Sequence, residues 1–512
     1  MLGMRRDKKR QKGFAVVYVT LVGAFVLMPM AGLAIDFGVL YNVKARLQTS
    51  CDAAAIGAGY LLHATTDLSN TTQYNAITAA AQQFFNANYG TSFMGAPIAS
   101  YSAVATSSTT GKTITVNATA TVPMLFMRVL GIAHSTVAAE AVSNVRFIAM
   151  MIVVDRSGSV TSEGAQAQIQ SALTTFVATA SSSYLVDGVD TVGMVTFGGT
   201  WNLDFTPSTH FQTNTPNIGT AITNIPFCPS TSITSSTNTA EGLYQAWYQL
   251  YSAQMNLPGA LNVIVLLTDG RPSAFTSNWT PISTSSCTNK TKRSGVFETY
   301  VSLGSYPFWP PTGSNESTGL YATQYQGIPE TNYEPVNSAN CAYDPVSSNA
   351  GNVGTDFGGN FPNSVGPVDN VGSGTNYPPG FSTPGTGIST QTGYYTSPGT
   401  TISNPVSGRY AAFNVADNMA TLIRQDTTLK PMMFVIGLSY GNTVTEPLDA
   451  DWLARVANDP NYVTVGSDTN VAAAGQSVFQ ASQTPGLYCN STPATLPVCF
   501  AQVTNALLRL TQ

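Results

Sequence analysis

Charged residues are scarce in this chain. Only 9% of its 512 residues are Asp, Glu, Lys or Arg, whereas an average soluble domain has about 25%. The net charge of −5 comes with no basic face, which argues against nucleic-acid binding. The apolar fraction of 43% is enough for a hydrophobic core, so a globular protein is expected. A surface rich in uncharged polar residues is more typical of an exported protein than of a cytosolic one.

Histidine is almost absent, and this limits the chemistry. His63, His134 and His210 are far apart in the sequence, which excludes a histidine-based zinc cluster. The segment GLSYG (437–441) has the G-x-S-x-G pattern of a hydrolase nucleophile. However, no histidine follows Ser439, and the polar NTVTEP follows where the pattern needs a helix. The phosphate-binding pattern G-x-x-x-x-G-K is also missing. We therefore predict that the protein is not an enzyme.

The N-terminal region has the pattern of a membrane anchor. Six basic residues among residues 5–12 precede an uncharged, mostly apolar run at 14–35. That run is long enough to cross a bilayer as a helix. It also exceeds the roughly 7 to 15 apolar residues of a cleaved signal peptide. Positive-inside bias predicts a cytoplasmic tail at 1–13 and an extracytoplasmic remainder, in the periplasm or at the cell surface.

An extracytoplasmic location makes the cysteines disulfide candidates rather than metal ligands. Only one pair is favoured by proximity, Cys489 with Cys499, which would close a short loop that contains proline. The connectivity of the other four is open: Cys51, Cys228, Cys287 and Cys341.

Residues 36–145 read as a small helix-plus-strand module. Apolar residues from Leu40 to Leu61 recur at steps of three and four, which predicts an amphipathic helix continuing from the membrane. Packing of this stripe on its own module is favoured over packing on a partner helix. A second helix is expected at 74–88. The segment KTITVNATATV (112–122) alternates like a half-buried strand.

From residue 146 the pattern changes to short apolar strands separated by amphipathic helices. This order predicts an α/β domain with a doubly wound, mostly parallel sheet that helices cover on both faces. A Gly/Ser/Thr/Asn/Tyr-rich insertion at 273–408 divides the domain into parts at 146–272 and 409–512. The predicted strands are FIAMMIVV (147–154), TVGMVTF (191–197), NVIVLLT (262–268) and MMFVIGL (432–438).

Oxygen-bearing side chains follow these strands. Asp155 ends the first strand, and Ser157 and Ser159 lie in the next turn. Asp269 ends the third strand, and Thr237 precedes the helix before it. In open α/β sheets, ligands bind at the carboxyl ends of the strands. Two carboxylates and three hydroxyls suit a hard divalent cation, so we expect Mg²⁺, with Mn²⁺ and Ca²⁺ left open.

The alternative for DRSGS (155–159) is an ordinary helix entry, since Asp and Ser are favoured N-cap residues. Three separate segments carry oxygen ligands at one predicted sheet edge, and this conjunction favours the metal site. With only two acids, the ion would keep an open position for the carboxylate of a partner.

These motifs resemble known families. DRSGS, the Thr237 of STNTAEGL and VLLTDG resemble the metal-ion-dependent adhesion site of von Willebrand factor type A (VWA) domains. The resemblance implies that the same five residues surround the ion, the acids partly through water. The segment GLAIDFGVLYNVKARLQTSCDAAAIGAGYL, with the later VPMLFMRVLGI and FAQVTNALLRLTQ, is similar to TadE/TadG-like proteins of Flp (tight adherence) pilus systems.

Together, these features predict a single-pass, membrane-anchored VWA protein of Flp/Tad pilus assembly or cell adhesion. Its metal would bind a protein partner that offers a carboxylate, with pilus or Tad secretion components as candidates. The alternative is a metal-independent structural scaffold of a pilus or secretion assembly that acts through the membrane-proximal helix.

Overall fold

A computed structural model of the chain separates into two units, one ending at Arg146 and one spanning Phe147–Thr511. All structural statements below concern the described parts of the chain. These are residues 9–108, 111–183, 185–228, 236–251, 259–279, 293–300, 316–322, 364–365, 388–389, 393–395, 405–440, 448–463 and 478–511.

Three α-helices and a π turn form the N-terminal part of the first unit. The uncharged run at 14–35 is shared by α1, the π turn and the beginning of α2. Within the described part of the chain, none of the helices combines the length and the apolar character that a membrane crossing needs. The helical segments are α1 (Lys9–Val22), the π turn (Gly23–Leu27), α2 (Met28–Ala64) and α3 (Thr71–Tyr89).

An antiparallel sheet completes the first unit, in the order β1-β2-β3-β4. The predicted stripe of α2 packs on this sheet and on α3, which confirms packing within its own module. At the C-terminal end of α2 the stripe differs from the prediction by one residue. Leu61, which the sequence pattern assigns to the stripe, is exposed, and Leu62 is buried instead. The strands are β1 (Ser92–Phe93), β2 (Ala96–Ser108), β3 (Gly111–Pro123) and β4 (His134–Val145).

The prediction that Cys51 is a disulfide cysteine is wrong. Cys51 is a free, fully buried thiol on the packed face of α2. It donates a weak hydrogen bond to the carbonyl of Ala139 in β4, at 3.8 Å. This helix–sheet contact requires a small apolar side chain. A reduced, buried cysteine provides one.

The second unit has a six-stranded sheet in the order β15-β14-β8-β5-β6-β7. All pairs are parallel except β6 with the edge strand β7. Every residue of β5, β6 and β8 is buried. The strands of the sheet are β5 (Ile148–Asp155), β6 (Thr191–Phe197), β7 (Trp201–Ser208), β8 (Leu261–Thr268), β14 (Met432–Leu438) and β15 (Leu487–Ser491).

Helices cover both faces of this sheet, which confirms the predicted fold class. One buried cluster packs α7, α8 and α9 on one face, and a second packs α5, α6 and α10 on the other. The helices are α4 (Gly158–Ser162), α5 (Gln166–Ser183), α6 (Ile218–Thr223), α7 (Thr239–Leu250), α8 (Pro405–Gln425), α9 (Ala450–Ala457) and α10 (Leu496–Thr511).

The insertion at 273–408 lies largely outside the described residues, together with Cys287 and Cys341. Its first part contains an antiparallel sheet in the order β11-β10-β9. Near its end, Tyr394 and Tyr395 are buried against Phe413 of α8. The strands of the insertion are β9 (Ala274–Trp279), β10 (Arg293–Tyr300), β11 (Glu316–Ala322), β12 (Ser364–Val365) and β13 (Ile388–Ser389).

The predicted disulfide between Cys489 and Cys499 is present, with their Cα atoms 5.7 Å apart. It links β15 to the first turns of α10 and so holds this helix against the edge of the sheet.

Close packing at Gly242 generates a test of how α7 is positioned. A Cβ atom at Gly242 would lie 2.6 Å from Cδ1 and 3.1 Å from Cβ of Phe197, the last residue of β6. We expect Gly242→Ala to destabilise the protein by about 1–3 kcal/mol in urea unfolding of the full chain, because α7 must move away from the sheet. Helix propensity alone predicts the opposite sign, since alanine is about 1 kcal/mol better than glycine.

The matched control is Gly219→Ala in α6, where the added methyl would lie 3.4 Å from Oδ1 of Asn217, an ordinary contact. This variant should be as stable as the parent or more so. Equal stability of the two variants would show that Gly242 does not determine the packing of α7.

Candidate functional site

The carboxyl ends of three adjacent strands meet at one edge of the sheet. Parallel pairing aligns Val154 of β5 with Leu267 of β8, and Thr268 of β8 with Gly437 of β14. Asp155 is the last residue of β5, Asp269 follows β8, and Tyr440 lies two residues beyond β14. The side chains after these strands are therefore neighbours in space.

Asp155 is buried, with 1% of its surface exposed, and both carboxylate oxygens accept hydrogen bonds. The hydroxyl of Thr268 donates to Oδ2 at 2.6 Å, and the backbone N–H of Ser157 donates to Oδ1 at 2.9 Å. The first contact links the ends of β5 and β8, and the second shapes the turn that leads into α4.

A chain of hydroxyl groups joins that turn to Asp269. The Oγ atoms of Ser157 and Ser159 are 2.9 Å apart, and Ser159 Oγ donates to Oδ1 of Asp269 at 2.9 Å. Since the single hydroxyl proton of Ser159 goes to Asp269, Ser157 is the donor of the first bond. The other oxygen of Asp269 accepts from Tyr440 Oη at 2.9 Å. Ser159 is solvent-exposed, whereas Ser157 and Asp269 are buried, so the cluster is open to solvent at Ser159.

Thr237 reaches the same edge from the segment before α7. A Cβ atom built on Gly270 would lie 3.0 Å from Thr237 Oγ1, which places this hydroxyl beside the turn that carries Asp269. The N–H of Thr237 donates to Ser273 Oγ at 2.8 Å, and the N–H of Ser273 returns a bond to the Thr237 carbonyl at 2.9 Å. Asn238 then caps α7 by accepting from the N–H of Glu241.

The buried Arg156 holds the turn between Asp155 and Ser157 in place. Its backbone N–H donates to the Phe197 carbonyl at the end of β6, at 2.8 Å. Its guanidinium donates to the Pro226 carbonyl at 3.0 Å, and its own carbonyl accepts from the N–H of Cys228 at 2.9 Å. The positions of the site oxygens therefore depend on the loops after β6 and α6.

The pKa values of both carboxylates of the site are raised. Burial raises the pKa of Asp155 above its usual value, against the opposing effect of its hydrogen bonds to Ser157 and Thr268. Burial and then the charge of Asp155 raise the pKa of Asp269 well above its usual value. A cation between two such groups would favour their ionised forms.

The donor chemistry fits a hard divalent cation. The side chains at the edge offer carboxylate and hydroxyl oxygens, with neither imidazole nor thiolate among the five predicted ligands. Among the described residues, no group of three or more His, Cys, Asp or Glu side chains is placed to hold a metal. Hydroxyls and water would therefore have to supply the ligands beyond Asp155 and Asp269. The metal and its ligand set remain predictions.

Three further residues of the site were missed in the sequence: Thr268, Ser273 and Tyr440. Thr268 lies within VLLTDG, where it continues the apolar strand and gives no separate signal. Ser273 and Tyr440 act through contacts with residues that are distant in the sequence. Tyr440 lies in the segment GLSYG, whose G-x-S-x-G pattern points only to Ser439.

Two regions of the chain match known protein families. Residues 150–300 match the von Willebrand factor type A domain. Residues 13–71 match the putative Flp pilus-assembly TadE/G-like family. The chain therefore contains a region similar to TadE/G-like proteins and a region similar to VWA domains. The resemblance to these two families is confirmed, and it supports a role in pilus assembly or adhesion, whereas the metal-ion-dependent adhesion site stays a prediction. No curated protein is significantly similar to the chain in sequence.

Several solved structures are distantly similar. The PilB minor pilin from Streptococcus sanguinis is 14% identical, with a TM-score of 0.33, over 82% of this chain and 80% of its own. The vWF domain of the type V pili tip protein Mfa5 from Porphyromonas gingivalis is 13% identical, with a TM-score of 0.35, over 72% of this chain and 98% of its own. The pilus adhesin SpaC from Lactobacillus rhamnosus GG is 13% identical, with a TM-score of 0.32, over 80% of this chain and 34% of its own.

The bond from Thr268 to Asp155 can be tested without any ligand. Thr268→Val keeps the shape of the side chain and removes the hydroxyl, so one oxygen of a buried carboxylate loses its donor. We expect a loss of about 1–3 kcal/mol in the free energy of unfolding, measured in urea with a chelator present.

Thr504→Val is the matched control, because Thr504 is also buried but its hydroxyl bonds to the Phe500 carbonyl within its own helix. Its loss should be smaller, at most about 1 kcal/mol. If the two variants lose the same stability, Thr268 has no special role at the site.

Proposed function

We propose that this protein is anchored in the membrane and uses its VWA domain to bind a protein partner outside the cytoplasm, through a divalent cation. The predicted ligands are Asp155, Ser157, Ser159, Thr237 and Asp269, and the preferred ion is Mg²⁺. The setting is pilus assembly or adhesion. The role is one of binding rather than catalysis.

The hydrogen-bonded chain from Ser157 through Ser159 to Asp269 carries this proposal. It joins residues 110 positions apart in the sequence at one sheet edge. Ser157 is the N-cap residue of α4, but its side chain makes no capping hydrogen bond. A helix cap would also not explain the carboxylate of Asp269 or the Thr237 hydroxyl beside Gly270. Five hydroxyl or carboxylate groups drawn from three segments form a ligand set that suits an oxygen-ligated ion, with water completing the coordination.

The partner chemistry follows from the charge of the site. A divalent ion, when bound, supplies an electrophilic position with only two formal negative ligands around it. The exposed Ser159 marks the side from which a ligand can approach. A carboxylate from a partner's Asp or Glu would complete the coordination, and the buried Asp155 and Asp269 would be held apart from solvent.

The insertion is well placed to influence this docking. Its first residue, Ser273, exchanges hydrogen bonds with Thr237, and the N–H of Ala274 donates to the Thr237 carbonyl at 3.2 Å. The insertion thus begins in direct contact with a predicted ligand. We propose that it contributes to the choice of partner.

The anchoring part of the proposal rests on the N-terminal sequence. Residues 14–35 are uncharged and follow six basic residues, and the helical segments α1, the π turn and α2 follow one another directly. The side chains of Val16, Val17 and Val19 in this run are each at least 60% exposed. Such a surface is expected in contact with lipid.

The ion is tested by thermal unfolding of the full chain in detergent, with Mg²⁺, Mn²⁺ or Ca²⁺ and with chelator. At an ion concentration near 100 times Kd, binding adds about 2.7 kcal/mol of stability. Such a gain should raise the Tm of the VWA unit by roughly 5–10 °C. Asp155→Ala should abolish this shift, because the ion loses one of its two charged ligands.

Asp204→Asn is the matched control. Asp204 is also a carboxylate of this sheet, held by the hydroxyl of Thr196 and the amide of Asn202, but it is outside the predicted ligand set. It should keep the ion-dependent shift. A shift that survives in Asp155→Ala, or that is absent from the parent protein, would refute the metal site.

A cellular experiment separates ion-dependent docking from the scaffold alternative. Cells that carry Asp155→Ala should keep the protein in the membrane fraction at normal levels but lose partner capture and the pilus-dependent adhesion. The scaffold alternative predicts that both survive in Asp155→Ala and in chelator, because the first unit is unchanged. Asp204→Asn again serves as the control for general damage to the domain.

A further inference from the structure

The loop between β3 and β4, which includes a 3₁₀ turn at Met127–Leu130, exposes several large apolar side chains in the first unit. Five large apolar residues within positions 125–132 are exposed, and Val129 and Leu130 are exposed by 86% and 68%. Isolated exposed apolar residues are common, but a compact group of this kind marks a surface that something else covers. The group consists of Leu125, Phe126, Val129, Leu130 and Ile132.

A buried carboxylate fixes this loop to α2. Asp36 is 1% exposed, and its two oxygens accept from the backbone N–H groups of Leu125, Phe126 and Met127 at 2.9, 3.0 and 2.7 Å. Three N–H donors on one carboxylate form a strong, charge-assisted contact. The loop is therefore held in a defined position beside the helix.

The contact at Gly32 gives the level of the loop along α2. A Cβ atom at Gly32 would lie 2.5 Å from Cγ of Phe126, so the ring of Phe126 rests directly on the helix backbone. Gly32 and Asp36 are one turn apart, about 6 Å along the axis. The loop thus packs against the last turn of the uncharged run at 14–35, where Ile35 is also exposed.

We propose that this loop is a second membrane contact, inserting Val129, Leu130 and their apolar neighbours into the lipid interface beside the anchoring helix. The inference rests on the proposed anchor, because the helix sets the depth of the loop. Lipid is favoured over a protein partner because the exposed group continues the apolar surface of the helix at the level where the bilayer would end. Arg128, within the loop, can extend its charged end to the headgroups.

The test places a photoreactive benzoylphenylalanine at one site of the full chain, reconstituted in phosphatidylcholine–phosphatidylglycerol vesicles. Val129 reports on the loop and Val19 reports on the anchor. Val142 is the matched control, since it is an exposed valine of the same unit, paired with Thr115 in β3 and away from the loop. After irradiation, lipid adducts on the protein are measured by mass spectrometry.

The proposal predicts lipid adducts at Val129 and Val19 with comparable yield. At the control position Val142 it predicts few or none. Adducts at Val19 but not at Val129 would overturn the loop contact and leave the anchor intact. Crosslinks from Val129 to a second protein chain instead of lipid would also overturn it. If Val19 gives no lipid adducts either, both the anchor and the loop contact are wrong. Unchanged thermal unfolding of each substituted protein verifies its fold.

Discussion

Parallel pairing of β8 with both β5 and β14 is the constraint on which the site depends. It brings the carboxyl ends of three strands to one edge, where the polar side chains of Asp155, Thr268 and Asp269 come together. Asp155 and Asp269 then lie close enough that the charge of Asp155 raises the pKa of Asp269. Hydroxyl and backbone donors hold the two carboxylates, and an edge arranged in this way suits a shared cation.

The core strands could be predicted from the sequence because they are continuous apolar runs. The strands at 191–197 and 432–438 match to the residue. The strands β7 and β15 were not anticipated, because β7 is an edge strand with polar residues and β15 has only five residues. The five oxygen-bearing residues could be proposed as one set because each ends or follows a strand or precedes a helix. Thr268, Ser273 and Tyr440 could not, since their roles arise only from tertiary contacts.

In the first unit, helical periodicity identified α2 and its buried stripe, but not what Asp36 does. The carboxylate of Asp36 accepts hydrogen bonds from backbone N–H groups about ninety positions away. Every residue except proline has such a donor, so the sequence of the loop does not reveal this contact. The match of residues 13–71 to the TadE/G-like family ends before that loop. The position of the loop could therefore be learned only from the folded unit.

The insertion separates two strands that are neighbours in the sheet, and this has a consequence for folding. While the chain is synthesised, β8 can pair with β5 at once, but its other side lacks a partner until β14 has emerged. An unpaired inner strand with a fully apolar surface is prone to association with other chains. Late closure by a distant segment also slows folding. The second unit is therefore most prone to association with other chains in the interval before β14 arrives.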